Sequence, residues 1–254
     1  MPPRLVFIHH ARTGGTTLHE AWSAAFPPDA ICPERFARLH EYAPAALAPY
    51  RFFSGHFRFD QMWMIPHPRI IVTVLRDPVE RVLSLYHYWR RFRPDFIERH
   101  GLTGPRLARE RGLLSFLRST EAEVTISIDN AIACHLAGNA MPLGEGRFGT
   151  LTSRGADPLE PEVVLDKARA ALQACDWVGE TNALDALHAR VAPVIGLAPG
   201  PLPRRNSRDT TNPYQEEARE EPVTPEIAET LARLTRLDAA LLAFAREDAA
   251  VRRA

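Results

Sequence analysis

Residues 5–26 read LVFIHHARTGGTTLHEAWSAAF, and this stretch decides the fold class. Leu5 to His9 is a short apolar run of β type. Arg12 to Thr17 is a turn rich in Gly and Thr, and Leu18 to Phe26 follows with a helical pattern. Pro27 and Pro28 then stop the helix, because proline lacks the amide donor and clashes with the preceding turn. A strand that feeds a glycine turn and then a helix is the repeating unit of a parallel α/β sheet.

The same alternation continues outward. Arg51 to His56 (RFFSGH) predicts a second short strand, and Arg69 to Leu75 (RIIVTVL) a third. The third is apolar and β-branched almost throughout, as burial on both faces of a parallel sheet requires. Asp77 and Pro78 supply an N-cap and a first-turn proline for a helix over Val79 to Phe92. Leu113 to Arg118, Ile126 to Leu136, Pro161 to Ala174 and Leu184 to Ile195 predict helices, and Asp176 to Gly179 a last short strand. Thr224-Pro225-Glu226 opens a final helix that runs to about Glu247. Arg93 to Gly112, broken by Pro94, Gly101, Gly104 and Pro105, reads as a loop or mobile insertion. Ala140 to Asp157 reads as a Gly-rich loop, and Leu197 to Pro213 as loop. No internal repeat and no domain boundary stands out, so residues 1–254 are expected to form one domain.

Composition narrows the function classes. The formal net charge is +0, from 31 basic and 31 acidic side chains, so the basic excess usual for a nucleic-acid binder is missing. The only lysine is Lys167; the other basic residues are arginine, as codon bias in a GC-rich genome produces. The three cysteines, Cys32, Cys134 and Cys175, have no zinc-ligand spacing and are too few for a disulfide framework. They read as reduced thiols. The opening MPPRLVFIHH lacks a signal peptide's apolar run and cleavage site, and no stretch is long and apolar enough for a membrane span. A cytoplasmic, soluble protein is expected.

Two segments carry chemistry. In the first, Gly14 and Gly15 let the backbone come close to a ligand, and the amides of Gly15, Thr16 and Thr17 would lie at a helix N-terminus that favours negative charge. The hydroxyls of Thr13, Thr16 and Thr17 and the charge of Arg12 add to such an anion cradle. No glycine precedes at the nucleotide-triphosphatase distance and no lysine follows Gly15, so the triphosphatase loop is not met. Taken alone, the turn reads equally as a tight strand-to-helix connection with capping threonines. The second segment is LRDPVERVLSLYHYW, Leu75 to Trp89. Arg76 stands at a strand's C-terminal end, the edge where open α/β sheets bind ligands, and Ser84 lies two helical turns on. Alone, the segment reads rather as an ion pair of Arg76 with Asp77 or Glu80 and Ser84 as an ordinary helix residue.

Together these motifs resemble the sulfotransferases that use 3′-phosphoadenosine 5′-phosphosulfate (PAPS). The likeness is carried by HHARTGGTTL, SGHFRF and VLRDPVERVLSLYHY in order, and it is strongest to the carbohydrate branch with the heparan sulfate 2-O-sulfotransferases and soluble bacterial relatives. DNAIACHLAG (Asp129 to Gly138), DWVGETNALDAL (Asp176 to Leu187), NSRDT and the final helix extend it over about residues 5–247. The resemblance implies a P-loop-like, three-layer α/β fold with a central, mostly parallel sheet flanked by helices. It implies sulfonyl transfer from PAPS to an acceptor hydroxyl on a carbohydrate or glycoconjugate, with adenosine 3′,5′-bisphosphate as product and no metal. By position, Arg12, Thr13, Gly14, Gly15, Thr16 and Thr17 match the loop that holds the phosphosulfate, and Arg76 and Ser84 the pair that binds the 3′-phosphate. His56 matches the catalytic base, with Arg12 at the leaving phosphate. Arg205 and Ser207 match a C-terminal loop that closes over the cofactor. Arg58 and His10 are the candidates for acceptor contact. The family has lysine where this chain has Arg12; arginine keeps the charge but differs in bulk and geometry. A nucleotide-dependent kinase and a catalytically impaired nucleotide-binding relative are the alternatives, the first weakened by the missing Gly-Lys-Ser/Thr motif.

Overall fold

The structure, a computed structural model, describes residues 2–152, 155–202 and 213–248. Arg205 and Ser207 lie outside them. Four parallel strands form the central sheet: β1 (Arg4–His9), β2 (Phe52–Gly55), β3 (Arg69–Leu75) and, last in the chain, β7 (Trp177–Glu180). Their spatial order is β2-β1-β3-β7. The chain thus leaves β1 to one side for β2 and returns to the other side for β3. That reversal opens a crevice beyond the C-terminal end of β1, the usual ligand position in such sheets. Ile8 is in register with Gly55 on one side and Thr73 on the other, which brings the ends of three strands to one edge.

Every residue of β1 is buried, which is why it reads as an unbroken apolar run. Leu5 and Phe7 face one way, toward Leu18 and Trp22 of helix α1 (Gly15–Ser23). Val6 and Ile8 face the other, toward the layer that contains Ile132, Ala168 and Leu241. Helices therefore cover both faces, and the fold is a three-layer α/β sandwich.

The remaining helices are α2 (Pro44–Leu47), α3 (Pro78–Arg90), α4 (Pro94–His100), α5 (Thr103–Glu110), α6 (Leu113–Leu117), α7 (Ala122–Ile128), α8 (Ala131–Leu136), α9 (Pro161–Gln173), α10 (Leu184–Val194), α11 (Pro225–Leu234) and α12 (Arg236–Glu247). Helix α3 begins as its sequence predicts, with Pro78 in the first turn and the Asp77 carboxylate accepting from the Glu80 amide at 2.9 Å. A second core joins Val82, Leu85 and Tyr86 of α3 to Phe116 of α6 and Leu231 of α11. Glu221 ties the chain ahead of α11 to this core. Its carboxylate accepts from Tyr86 Oη at 2.5 Å, from the Leu113 amide at 2.8 Å and from the Arg90 guanidinium.

The structure corrects four of the sequence expectations. Arg93 to Gly112 is mostly helical: Pro94 starts α4 and Gly101, at φ 60°, ends it in the left-handed conformation, after which α5 begins. Ala140 to Asp157 belongs to an antiparallel three-stranded sheet of β4 (Ala140–Gly144), β5 (Arg147–Thr152) and β6 (Gly155–Leu159). The glycines there make a hairpin turn, with Gly144 and Gly146 at positive φ. The predicted helix over Ile126 to Leu136 is two helices, parted by Asn130 at φ 47°. The final helix is broken at Thr235 into α11 and α12. The break is stabilised by Asn130, whose Oδ1 accepts from the Leu237 amide at 2.6 Å.

Candidate active site

A cleft of about 700 Å³ opens at the crevice beyond β1. Arg12, Gly15 and Thr16 line one end of it, His10, His56 and His135 its centre, and Arg58 its edge. None of the described lining residues is Asp or Glu.

The loop between β1 and α1 is tight. Arg12 sits at φ 70° and Gly14 at φ 80°, both left-handed. A Cβ on Gly14 would lie 2.6 Å from Leu184 Cδ1, and one on Gly15 would lie 2.3 Å from His9 Nδ1. Thr13 is fully buried, and its hydroxyl donates to the His10 carbonyl at 2.8 Å, so it shapes the turn from inside. Thr16 is exposed and lines the cleft, whereas Thr17 is half-buried beside it. No side chain caps α1, and its first turn carries no acid. The first amides of the helix thus remain available to an outside anion.

Arg12 projects from this loop toward α3. Its Nε donates to Ser84 Oγ at 3.1 Å, and its guanidinium lies 4.4 Å from the centre of the Tyr88 ring. No carboxylate pairs with it among the described residues. Burial lowers its pKa, the Tyr88 contact opposes that, and the like charges of Arg76 and Arg91 add to the lowering. Arg76 donates through Nη1 to the Arg12 carbonyl at 3.0 Å, and its Nη2 lies 3.5 Å from Glu80. The structure therefore brings Arg12, Arg76 and Ser84 together as one linked group. Arg76 and Ser84 are not among the residues that line the cleft, but both are half-buried rather than buried.

His56 follows β2 directly. Its Nδ1 lies 2.8 Å from the His9 carbonyl oxygen. A carbonyl only accepts, so Nδ1 carries the proton and Nε2 keeps a free lone pair. Burial lowers the His56 pKa below 6.5, offset in part by the His9 carbonyl and reinforced by Arg35. The ring is therefore neutral at pH 7 and fit to take a proton. His10 is buried, with Nδ1 3.2 Å from His135 Nδ1 and Nε2 3.5 Å from Thr73 Oγ1. Both its nitrogens face protein partners, although the ring lines the cleft wall. Arg58 lies at the rim, and its Nε and Nη2 donate to Asp60 at 3.1 and 3.3 Å.

Sequence reading missed three members of this site. Arg81 is 1% exposed yet lines the cleft, with Nη2 donating to the Ser127 carbonyl at 3.0 Å and Nε without a partner. His135 comes from DNAIACHLAG, and burial depresses its pKa to about 4. Arg35 gives its carbonyl to the His56 amide at 2.7 Å. Arg81, Leu85 and Tyr88 are spaced for one face of α3, a signal that could have found the first of these. Nothing in the sequence links His135 or Arg35 to β1.

No family model matches the chain. A protein-tyrosine sulfotransferase of Arabidopsis thaliana is 31% identical over 86 residues, which is 33% of this chain and 17% of that protein. This partial likeness supports a sulfotransferase relationship and does not reach the carbohydrate 2-O branch. Among the described residues, no group of three or more His, Cys, Asp or Glu is placed to hold a metal ion, and no helix is long and apolar enough to cross a membrane.

Proposed function

We propose that the chain is a PAPS-dependent sulfotransferase that transfers a sulfonyl group to an acceptor hydroxyl. The observation that carries this reading is the bond between His56 Nδ1 and the His9 carbonyl, at 2.8 Å. It presents a neutral base at the centre of a cleft, one end of which is an uncapped helix N-terminus and an arginine without a carboxylate partner among the described residues. The fit to the nucleotide rests on that cradle: free first-turn amides, a turn with no room for a Cβ at Gly15, and the linked cations Arg12 and Arg76.

PAPS, when bound, supplies an activated sulfonyl group. His56 Nε2 takes the proton of the acceptor hydroxyl as its oxygen bonds to sulfur. Arg12 and the first amides of α1 meet the negative charge that gathers on the departing phosphate oxygen. Arg76 and the Ser84 hydroxyl, which keeps its own proton to donate, hold the 3′-phosphate. The likeness to a sulfotransferase supports the reaction class. A kinase reading has less support, because among the described residues no carboxylate lines the cleft to place magnesium.

Calorimetric titration with adenosine 3′,5′-bisphosphate, beside AMP and ATP, tests this reading. Binding that depends on the 3′-phosphate is expected. A preference for ATP would sink it, and tight bisphosphate binding without turnover of any alcohol would mark an impaired relative.

A further inference from the structure

The cleft changes character along its length. Its inner end carries Arg12, Thr16 and the histidines, whereas its outer wall is built from Phe36, Trp89, Ile126, Met141 and Pro142. Phe36 is 57% exposed and Ile126 48% exposed. Single exposed apolar side chains are ordinary. Here two of them come from segments ninety residues apart in sequence (36 and 126) and meet on one cleft. The Phe36 ring also lies 6.1 Å from the His56 ring, so the apolar wall begins at the base itself. Convergent apolar groups beside a few fixed polar ones are the usual make-up of a small-molecule site.

The charges on the same wall point the same way. Arg81 lines the cleft but is 1% exposed and bonded to the Ser127 carbonyl. Arg58 is held by both oxygens of Asp60. Of the two cations on this wall, Arg58 is thus paired with a carboxylate and Arg81 is buried, so neither stands open to an anionic glycan. The Ser127 hydroxyl already donates to the Glu123 carbonyl at 2.7 Å, so beside Ile126 it is not free to donate to a sugar hydroxyl.

We infer that the acceptor is an uncharged phenol or alcohol with an apolar or aromatic body, and not the carbohydrate that the family likeness implies. Its body lies against Phe36 and Ile126, and its hydroxyl reaches His56 Nε2. The hydroxyl proton passes to Nε2, the oxygen–sulfur bond forms, and the bond from sulfur to the phosphate oxygen breaks with its electron pair left on the bisphosphate. The inference rests on the sulfotransferase reading of the site.

The test uses the full chain with 2-naphthol and a neutral disaccharide as acceptors, and Ile126→Glu and Phe36→Ala as variants. Binding of 2-naphthol is followed by its fluorescence without nucleotide, transfer is followed with PAPS, and bisphosphate affinity is measured by calorimetry. The expected result is saturable 2-naphthol binding and sulfation, with KM raised about tenfold by Ile126→Glu and bisphosphate affinity unchanged. Phe36→Ala weakens 2-naphthol in the same direction. Bisphosphate binding together with preferred sulfation of the disaccharide would overturn the acceptor class and leave the reaction standing. A 2-naphthol affinity unmoved by both variants would also overturn it. Failure to bind the bisphosphate would remove both.

Discussion

Arg12 donates from Nε to the Ser84 hydroxyl at 3.1 Å, which locks the loop after β1 to the second turn of α3. The same guanidinium stacks on Tyr88. Both contacts need a planar, forked cation, and a lysine ammonium reproduces neither well. Arg12→Lys, although it restores the residue usual in the resembling family, is therefore expected to weaken bisphosphate binding by about fivefold. Titration calorimetry measures this; an affinity gain would show that Ser84 and Tyr88 do not position the cation.

His56→Ala is expected to abolish sulfonyl transfer while leaving bisphosphate affinity nearly intact, because His56 reaches the acceptor side of the cleft. A large loss of nucleotide affinity in that variant would contradict its role as base.

Arg76→Ala should weaken adenosine 3′,5′-bisphosphate more than AMP. Some loss for AMP is expected as well, because Arg76 also supports the Arg12 carbonyl at 3.0 Å. Equal losses for the two nucleotides would assign Arg76 to the loop alone and remove it from the 3′-phosphate.

Gly15→Ala places a methyl group 2.3 Å from His9 Nδ1. The His9 ring is packed between Phe7, 5.1 Å away, and His56, 4.5 Å away, so it cannot yield freely. A stability loss of about 1–3 kcal/mol is expected. A fall in kcat should accompany it, since the His9 backbone orients the base. Thermal melting and steady-state kinetics check both; an unchanged melting temperature would show that the turn has slack.

Acid should act twice. His56 must be neutral to accept a proton and its pKa is lowered from 6.5, so the rate is flat near neutrality and falls only on the acid side of 6.5. Stability falls in the same direction. His135 titrates near 4 when folded against an ordinary 6.5, so the unfolded chain binds more protons between those values. Stability is then full above about 6.5 and declines toward 4. His9 and His10, also lowered by burial, add to the slope. Chemical denaturation at stepped pH measures it; a flat profile from 7 to about 4.5 would contradict the neutral burial of these rings.

Much of the sheet was legible because β1 and β3 are buried on both faces, and full burial leaves a continuous apolar run. The start of α3 was legible from Asp77 and Pro78, whose roles are local. The β4–β6 sheet was not, because its glycines serve hairpin turns and the exposed face of β6 carries no apolar alternation. The split at Asn130 was hidden for another reason: Asn130 is held left-handed by partners in α12, more than a hundred residues away. In the site, Arg12 and Gly15 sit in a glycine turn between a strand and a helix, so local pattern pointed to them, whereas His56 was singled out by the family resemblance. His135 enters the cleft through tertiary packing alone, whereas Arg81 shares one face of α3 with Leu85 and Tyr88. Arg205 and Ser207 lie outside the described residues, and their part stays a proposal.

The partner of His56 is a peptide carbonyl, and a carbonyl has no codon. In enzymes that orient a histidine with an aspartate, one missense change removes the orienting group. Here the acceptor atom survives every replacement at position 9, provided β1 keeps its register. The orientation of His56 should thus be tolerant of side-chain drift around it, whereas the cation at Arg12, steadied by Ser84 and Tyr88, is exposed to drift at both. Divergence among close copies of this chain would be expected to alter anion affinity sooner than proton transfer.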